Sequence, residues 1–199
     1  MHQAKVIIFG RDGVLNRFRD DHVKAPEEWE AEAGALEAVA RLNHAGWHAV
    51  VATNQSGIGR GMIDMASVNA VHAHMNRQLM AQGGRIDAVF FCPHAPEEHC
   101  DCRKPLPGMM LDIGRRYGLD PAAMPMVVDC LRDMQAAAAA GCPPHLVRTG
   151  RARALDADAL ARLLELVPAT RVHDNLAAFA DWLLGRKGAA DSASGPHAA

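Results

Sequence analysis

Apolar residues along this chain come in short branched runs separated by longer amphipathic stretches, a rhythm that predicts strand, loop and helix in repetition. Lys5–Phe9 is such a run, ending at Gly10-Arg11-Asp12-Gly13. From about Glu28 to Ala45 the period becomes helical, with Ala35, Leu36, Val39, Ala40 and Leu42 on one face and Gly46 closing it. Ala49–Ala52 predicts a second buried strand that leads into Thr53-Asn54-Gln55-Ser56-Gly57. A second helix, from about Met65 to Gln82, stops at Gly83-Gly84. Ala88–Phe91 predicts a third strand, and Met109–Tyr117 a third helix after Pro107-Gly108. Met126–Val128 predicts a fourth strand ending at Asp129, and Arg132–Ala140 a helix stopped by Gly141. His145–Val147 reads as a fifth strand, followed by a weaker strand-and-helix pattern to Leu184.

Strands alternating with helices predict an α/β fold: three layers, Rossmann-like, with a mainly parallel sheet covered by helices on both faces. The stretch between Val14 and the first helix is too short for a separate cap domain. The expected organisation is one domain over residues 1–184 and a disordered Gly/Ala/Ser-rich tail over 185–199. In open sheets of this kind ligands bind beyond the carboxyl ends of the strands. Polar residues recur there: Gly10 to Asp12, Thr53 and Asn54, a cysteine cluster with Lys104, and Asp129 with Asp133.

Composition adds limits. The 199 residues are 49% hydrophobic and 22% charged, as in soluble globular proteins. A net charge of −2 gives no whole-molecule field for nucleic acid or membrane surfaces. No apolar run approaches the roughly 18 residues that span a bilayer, and the first residues lack a signal-peptide pattern. The reading is a cytoplasmic protein, monomeric by default. Five cysteines cannot all pair within the chain. Cys92-x-His94-x5-Cys100-x-Cys102, stiffened by Pro93, Pro96 and Pro105, instead suits a closed tetrahedral zinc site of structural type.

Asp12 and Asp129, each following a strand, with Asp133 four residues further on, form a hard-oxygen set suited to Mg²⁺. Taken alone, Asp129 reads equally well as a turn residue or helix N-cap. The Thr53–Gly57 loop offers hydroxyl, amide and backbone donors for phosphate oxygens, although polar loops before helices are common. Arg103 and Lys104, held beside the cysteine loop, can neutralise a phosphoryl group.

Phe9-Gly10-Arg11-Asp12-Gly13-Val14-Leu15-Asn16, Thr53-Asn54-Gln55-Ser56-Gly57, Cys102-Arg103-Lys104-Pro105-x-Pro107-Gly108-Met109 and Asp129-x-x-x-Asp133-Met134-Gln135-Ala136 together resemble the haloacid dehalogenase (HAD) superfamily. Within it they are most similar to the heptose-bisphosphate phosphatase and histidinol-phosphatase group, over about residues 5–150. The resemblance implies a Mg²⁺-dependent sugar-phosphate phosphatase, with a heptose 1,7-bisphosphate of the lipopolysaccharide-precursor route as substrate and histidinol phosphate as the alternative. It implies an aspartyl-phosphate formed on the first aspartate of an Asp-x-Asp pair. It further implies Asp12 as general acid/base and source of a backbone carbonyl for Mg²⁺, and Thr53 and Lys104 as holders of the phosphoryl group. Asn54, Gln55, Ser56 and Arg103 fall in the substrate loops, and Asn16 with the Arg17–Asp21 loop near the sugar. Asp129 is the implied Mg²⁺ ligand, supported by Asp133.

This chain departs from that pattern where it matters most. Gly10 stands at the nucleophile position, Val128 replaces a glycine before Asp129, and Cys130 replaces a more polar residue. Glycine can neither attack phosphorus nor ligate metal through a carboxylate. Two classes of function follow: a phosphatase with activity lost or severely impaired, and a non-catalytic module that binds a phosphosugar or a protein partner.

Overall fold

The expected strands all form, and a sixth follows them. The computed structural model describes residues 4–193. β1 (Lys5–Phe9), β2 (Trp47–Asn54), β3 (Ala88–Cys92), β4 (Met126–Val128), β5 (Pro144–Val147) and β6 (Arg171–His173) build one parallel sheet in the order β3-β2-β1-β4-β5-β6. The helices are α1 (Ala35–His44), α2 (Ser56–Gly59), α3 (Met65–Ala81), α4 (Gly108–Tyr117), α5 (Leu131–Ala140), α6 (Ala157–Leu166) and α7 (Leu176–Ala193).

The strands read as continuous apolar runs because both faces are covered. Ile7, Phe9, Val51 and Val127 point into a layer with Val39 of α1, Met75 of α3 and Phe179 of α7. Val6, Ile8, Ala52 and Val128 point the other way, against Met110 and Ile113 of α4 and Met134 of α5. Burying each large side chain contributes about 1.5–3 kcal/mol, so these two layers outweigh any single polar contact in holding the sheet. Val128, the departure from the family glycine, is fully buried in the second layer. Its branched side chain is thus part of the core.

Two expectations are corrected. Helix α1 begins at Ala35 and not near Glu28, because Gly34 adopts φ 70, a left-handed conformation that breaks the helical path. Upstream, Pro26–Glu28 form a single 3-10 turn, and residues 30–32 pair with the first loop through Arg17 N–H to Glu30 O and Glu32 N–H to Leu15 O. The tail expected from residue 185 is helical as far as Ala193, in keeping with its alanines; residues 194–199 lie outside the described residues.

Between Gly10 and Gly34 the chain holds only the 3-10 turn and two isolated bridges, Asp12 with Asn16 and Asn16 with Ala31, so no cap domain covers this end of the sheet. The strand order reverses between β1 and β4, which opens a crevice beyond their carboxyl ends. Phe9 pairs with Val127 across that seam, and the Gly10 N–H donates to Val127 O at 2.9 Å. Gly10 is thereby fixed at the floor of the crevice.

Candidate functional site

The first loop turns back at once on β1. Gly13, Val14, Leu15 and Asn16 bond among themselves and to Arg11 O, in a turn that needs Gly13 at φ 85. Arg11 is buried, and its Nη2 donates to both carboxylate oxygens of Asp12 at 3.0 Å. Arg11 Nη1 lies 3.2 Å from His72 Nε2 on α3. With the Gln55 amide turned so that its oxygen accepts, Gln55 receives hydrogen bonds from both Arg11 terminal nitrogens and from Thr53 Oγ1. Asn16 Nδ2 adds a further bond to Asp12 at 3.0 Å. Burial works against the charge of Asp12, but Arg11 and Asn16 outweigh it and hold the carboxyl below the usual range. His72 goes the other way: burial, then the Arg11 charge, push it down to about 4, so it is a neutral acceptor.

Lys104 arrives from the loop after the cysteine cluster and is 2% exposed. Its ammonium donates to Ala52 O at 2.8 Å and forms a buried ion pair with Asp133. Asn54 fixes that loop by donating to Lys104 O at 3.1 Å and accepting from Lys104 N–H at 3.2 Å. Burial raises Asp133, yet Lys104 and Arg132 overcome it and keep the carboxyl ionised.

Asp129, at the end of β4, meets backbone on two sides. Gly13 and Gly150, both at positive φ, pass so close that a Cβ at either would collide with its carboxylate. The Arg151 N–H donates to Asp129 Oδ2 at 2.9 Å. Burial nevertheless pushes Asp129 up to about 6, with Asp133 adding to the shift. Asp129, Cys130 and Asp133 offer ligand atoms within 4.8 Å of one another. The Asp12 carboxylate is not in that group, being turned onto Arg11. Lys104 and Arg132 already neutralise Asp133, whereas Asp129 has a looser ion pair, with Arg151 at 3.9 Å, and is the carboxylate of the group more open to a cation. That is a minimal set for Mg²⁺, which is commonly held by one or two carboxylates with waters and substrate phosphate oxygens.

The thiol cluster is compact. Cys92 Sγ lies 3.5 Å from His94 Nδ1 and 3.8 Å from Cys100 Sγ; Cys102 Sγ lies 3.3 Å from His94 Nδ1 and 3.6 Å from Cys100 Sγ. A tetrahedron around zinc has S–S edges of about 3.8 Å and S–N edges of about 3.6 Å. The four side chains stand at those spacings, so they fit a closed zinc site.

Asp12, Thr53, Asn54, Ser56, Arg103, Lys104, Asp129 and Asp133 therefore line one polar cleft. Asn16 and Gln55 stand behind it, touching Asp12, Thr53 and Arg11. Gly10 is buried beneath its floor. Six cations and four carboxylates line the cleft, a balance that suits an anionic ligand. The sequence names Phe18 only as part of the Arg17–Asp21 loop, and it gives no signal for His22, Arg132 or Arg151 as lining residues. Arg151 lies over the Phe18 ring at 3.8 Å, joining two loops far apart in the chain. Nothing in the local pattern marks that pair. Arg11 stands in the first motif, and its place between Gly10 and Asp12 is the one local signal for its role.

The comparisons agree with this architecture. A family model described as HAD-hydrolase-like matches residues 101–179. The D-glycero-β-D-manno-heptose-1,7-bisphosphate 7-phosphatase of Bordetella bronchiseptica is 53% identical over 180 residues, covering 90% of this chain and 98% of the relative. Its counterpart in Pseudomonas aeruginosa is 43% identical over 180 residues, covering 90% and 97%. The crystal structure of the D,D-heptose 1,7-bisphosphate phosphatase from B. bronchiseptica, complexed with magnesium and phosphate, superposes with a TM-score of 0.85 over 92% of this chain and 99% of that one, at 53% identity. Such identity, sustained along nearly the whole length of both proteins and on a shared parallel sheet, means that the chain belongs to the haloacid dehalogenase superfamily and, within it, to the D-glycero-β-D-manno-heptose-1,7-bisphosphate 7-phosphatase family.

Proposed function

We propose that this chain binds a small phosphorylated sugar, D-glycero-β-D-manno-heptose 1,7-bisphosphate in the first place, and that Gly10 leaves its 7-phosphatase turnover severely impaired. The observation that carries the reading is Gly10 itself. It sits at the end of β1 with ordinary backbone dihedrals, and a Cβ built there would lie 3.8 Å from Asp133 Oδ2, beside the ion pair with Lys104. A carboxylate at that position would face the cleft; a hydrogen atom offers no nucleophile.

The other parts keep their roles. Lys104 and Thr53 bind the phosphoryl oxygens, and Asn54 and Ser56 orient them. Arg103, hydrogen-bonded to His94 O, and the loop of residues 17–21 face the rest of the sugar. Asp12, held by Arg11 and Asn16, exchanges the proton with the sugar oxygen. Asp129, with the main-chain carbonyl of Asp12, would hold Mg²⁺, which supplies neutralisation of phosphate charge when bound. Cys92, His94, Cys100 and Cys102 hold a structural zinc that orders the loop carrying Arg103 and Lys104. Among the described residues no helix is long and apolar enough to cross a membrane.

Loss of a covalent nucleophile typically lowers turnover by about 10⁴ or more. Phosphate release from the heptose bisphosphate with Mg²⁺ is therefore expected to rise by about that factor in Gly10→Asp. Equal rates for the two forms would overturn the assignment of Gly10.

A further inference from the structure

We infer that the place beside Gly10 accepts a small free carboxylate, formate before any other, as the phosphoryl acceptor, giving this chain a carboxylate-dependent phosphotransferase activity. The inference rests on the reading of Gly10 as the site of the missing nucleophile and extends it to a second substrate.

The local geometry keeps room for a side chain. Gly10 continues β1 through its N–H bond to Val127 O, and it is not among the glycines with positive φ. A Cβ at Gly10 would meet Val14 Cγ2 at 3.1 Å, Val127 O at 3.6 Å and Asp133 Oδ2 at 3.8 Å. The Val14 contact asks that side chain to give by a few tenths of an ångström, and Asp133, the third neighbour, is a residue that lines the cleft. Lys104, bound to that same Asp133 oxygen, offsets its repulsion, and six cations face four carboxylates along the lining of the cleft.

Size decides which carboxylate enters. An aspartate carboxyl carbon stands about 2.5 Å from its own Cα, across two covalent bonds of about 1.5 Å. A free molecule must keep its carbon about 3.5 Å from that Cα. Formate satisfies this by standing about 1 Å further out. The methyl group of acetate would fall where the Cβ belongs, about 1.5 Å from Cα, which pushes the whole molecule outward by about 2 Å. Propionate is displaced further still. The expected order is formate, then acetate, then no effect with propionate.

The step balances without any redox change. A formate oxygen forms the new bond to phosphorus. The bond between phosphorus and the sugar oxygen breaks, and its electron pair stays on that oxygen, which takes a proton relayed from water by the ionised Asp12. The products are formyl phosphate, the dephosphorylated sugar hydroxyl and a hydroxide that the buffer neutralises. Formyl phosphate then hydrolyses in solution to formate and phosphate. An attached carboxylate has an effective concentration far above molar, so rescue reaches only a small fraction of the Gly10→Asp rate.

The test measures phosphate release from the heptose bisphosphate with Mg²⁺ across a sodium formate series, with sodium chloride holding ionic strength constant. Saturable stimulation of about tenfold or more is expected, together with formohydroxamate when hydroxylamine is present. Acetate should stimulate less and propionate not at all, Asp12→Asn should abolish the effect, and Gly10→Asp should be insensitive to formate. Absence of stimulation and of hydroxamate in a chain whose Gly10→Asp form turns over would overturn this inference alone. An inactive Gly10→Asp would instead remove the reading beneath it, and this inference with it.

Discussion

Restoring a carboxylate at position 10 should cost stability while it restores chemistry, and the structure sets the size of the effect. Replacing a glycine whose φ suits any residue favours folding by about 0.5–1 kcal/mol, through lost freedom of the unfolded chain. The contact of the new Cβ with Val14 Cγ2, 3.1 Å, asks that side chain to move a few tenths of an ångström, a small term. Charge matters more. A carboxylate about 5 Å from Asp133 repels it by about 3 kcal/mol at an effective dielectric constant near 20. Lys104, bonded to Asp133, returns an attraction of similar size. What is left is desolvation of the new charge, about 1–3 kcal/mol, with repulsion from Asp129 added. In EDTA, Gly10→Asp should therefore be less stable than the parent chain by about 1–3 kcal/mol. Mg²⁺ should narrow the gap, because ligand at about 100 times its Kd stabilises by about 2.7 kcal/mol and the parent chain binds it less well. Urea denaturation of both proteins, in EDTA and in Mg²⁺, measures each quantity. A Gly10→Asp protein that is as stable as the parent in EDTA and gains no more from Mg²⁺ would refute the electrostatic reasoning.

Other predictions follow from neighbouring parts of the fold. Cys100→Ser removes one of the four zinc-site side chains and should lower Tm by about 5–10 °C together with zinc content; unchanged zinc by mass spectrometry would sink the metal assignment. His72 has its folded pKa depressed to about 4 from an ordinary 6.5, so its stabilising contribution is present above pH 6.5 and is lost as pH falls towards 4. His72→Gln should therefore remove about 3 kcal/mol of acid destabilisation over that window, seen as a flatter dependence of the urea midpoint on pH; parallel curves would count against it. Lys104→Met strips Asp133 of its buried partner and should destabilise by about 3 kcal/mol in urea. A change under 1 kcal/mol would show that the ion pair carries little in the native state.

Much of this protein was legible in the chain because each signal was local. Apolar runs within Lys5–Phe9 and Met126–Val128 declared buried strands, since a sheet covered on both faces calls for apolar residues at nearly every position. The three thiols and the imidazole of the cysteine cluster lie within eleven residues, and a cluster of that size needs little from the rest of the fold to form. Gly10 stood out from its place in a motif whose resemblance implies a nucleophilic aspartate there. The start of α1 did not, because the helical periodicity runs on through residues that the left-handed Gly34 and the bridge from Ala31 to Asn16 draw out of the helix.

What tertiary structure alone decided were distances between groups remote in the chain. Arg11 and His72, 61 residues apart, and Lys104 and Asp133, 29 apart, meet because parallel crossovers bring successive strand ends to one edge of the sheet. That convergence turns Asp12 onto Arg11 and commits Asp133 to Lys104, while Asp129 keeps a looser ion pair, with Arg151 at 3.9 Å. A sequence names the groups that can ionise; their charges depend on burial and on which neighbours the fold brings within a few ångströms, and those are properties of the assembled sheet.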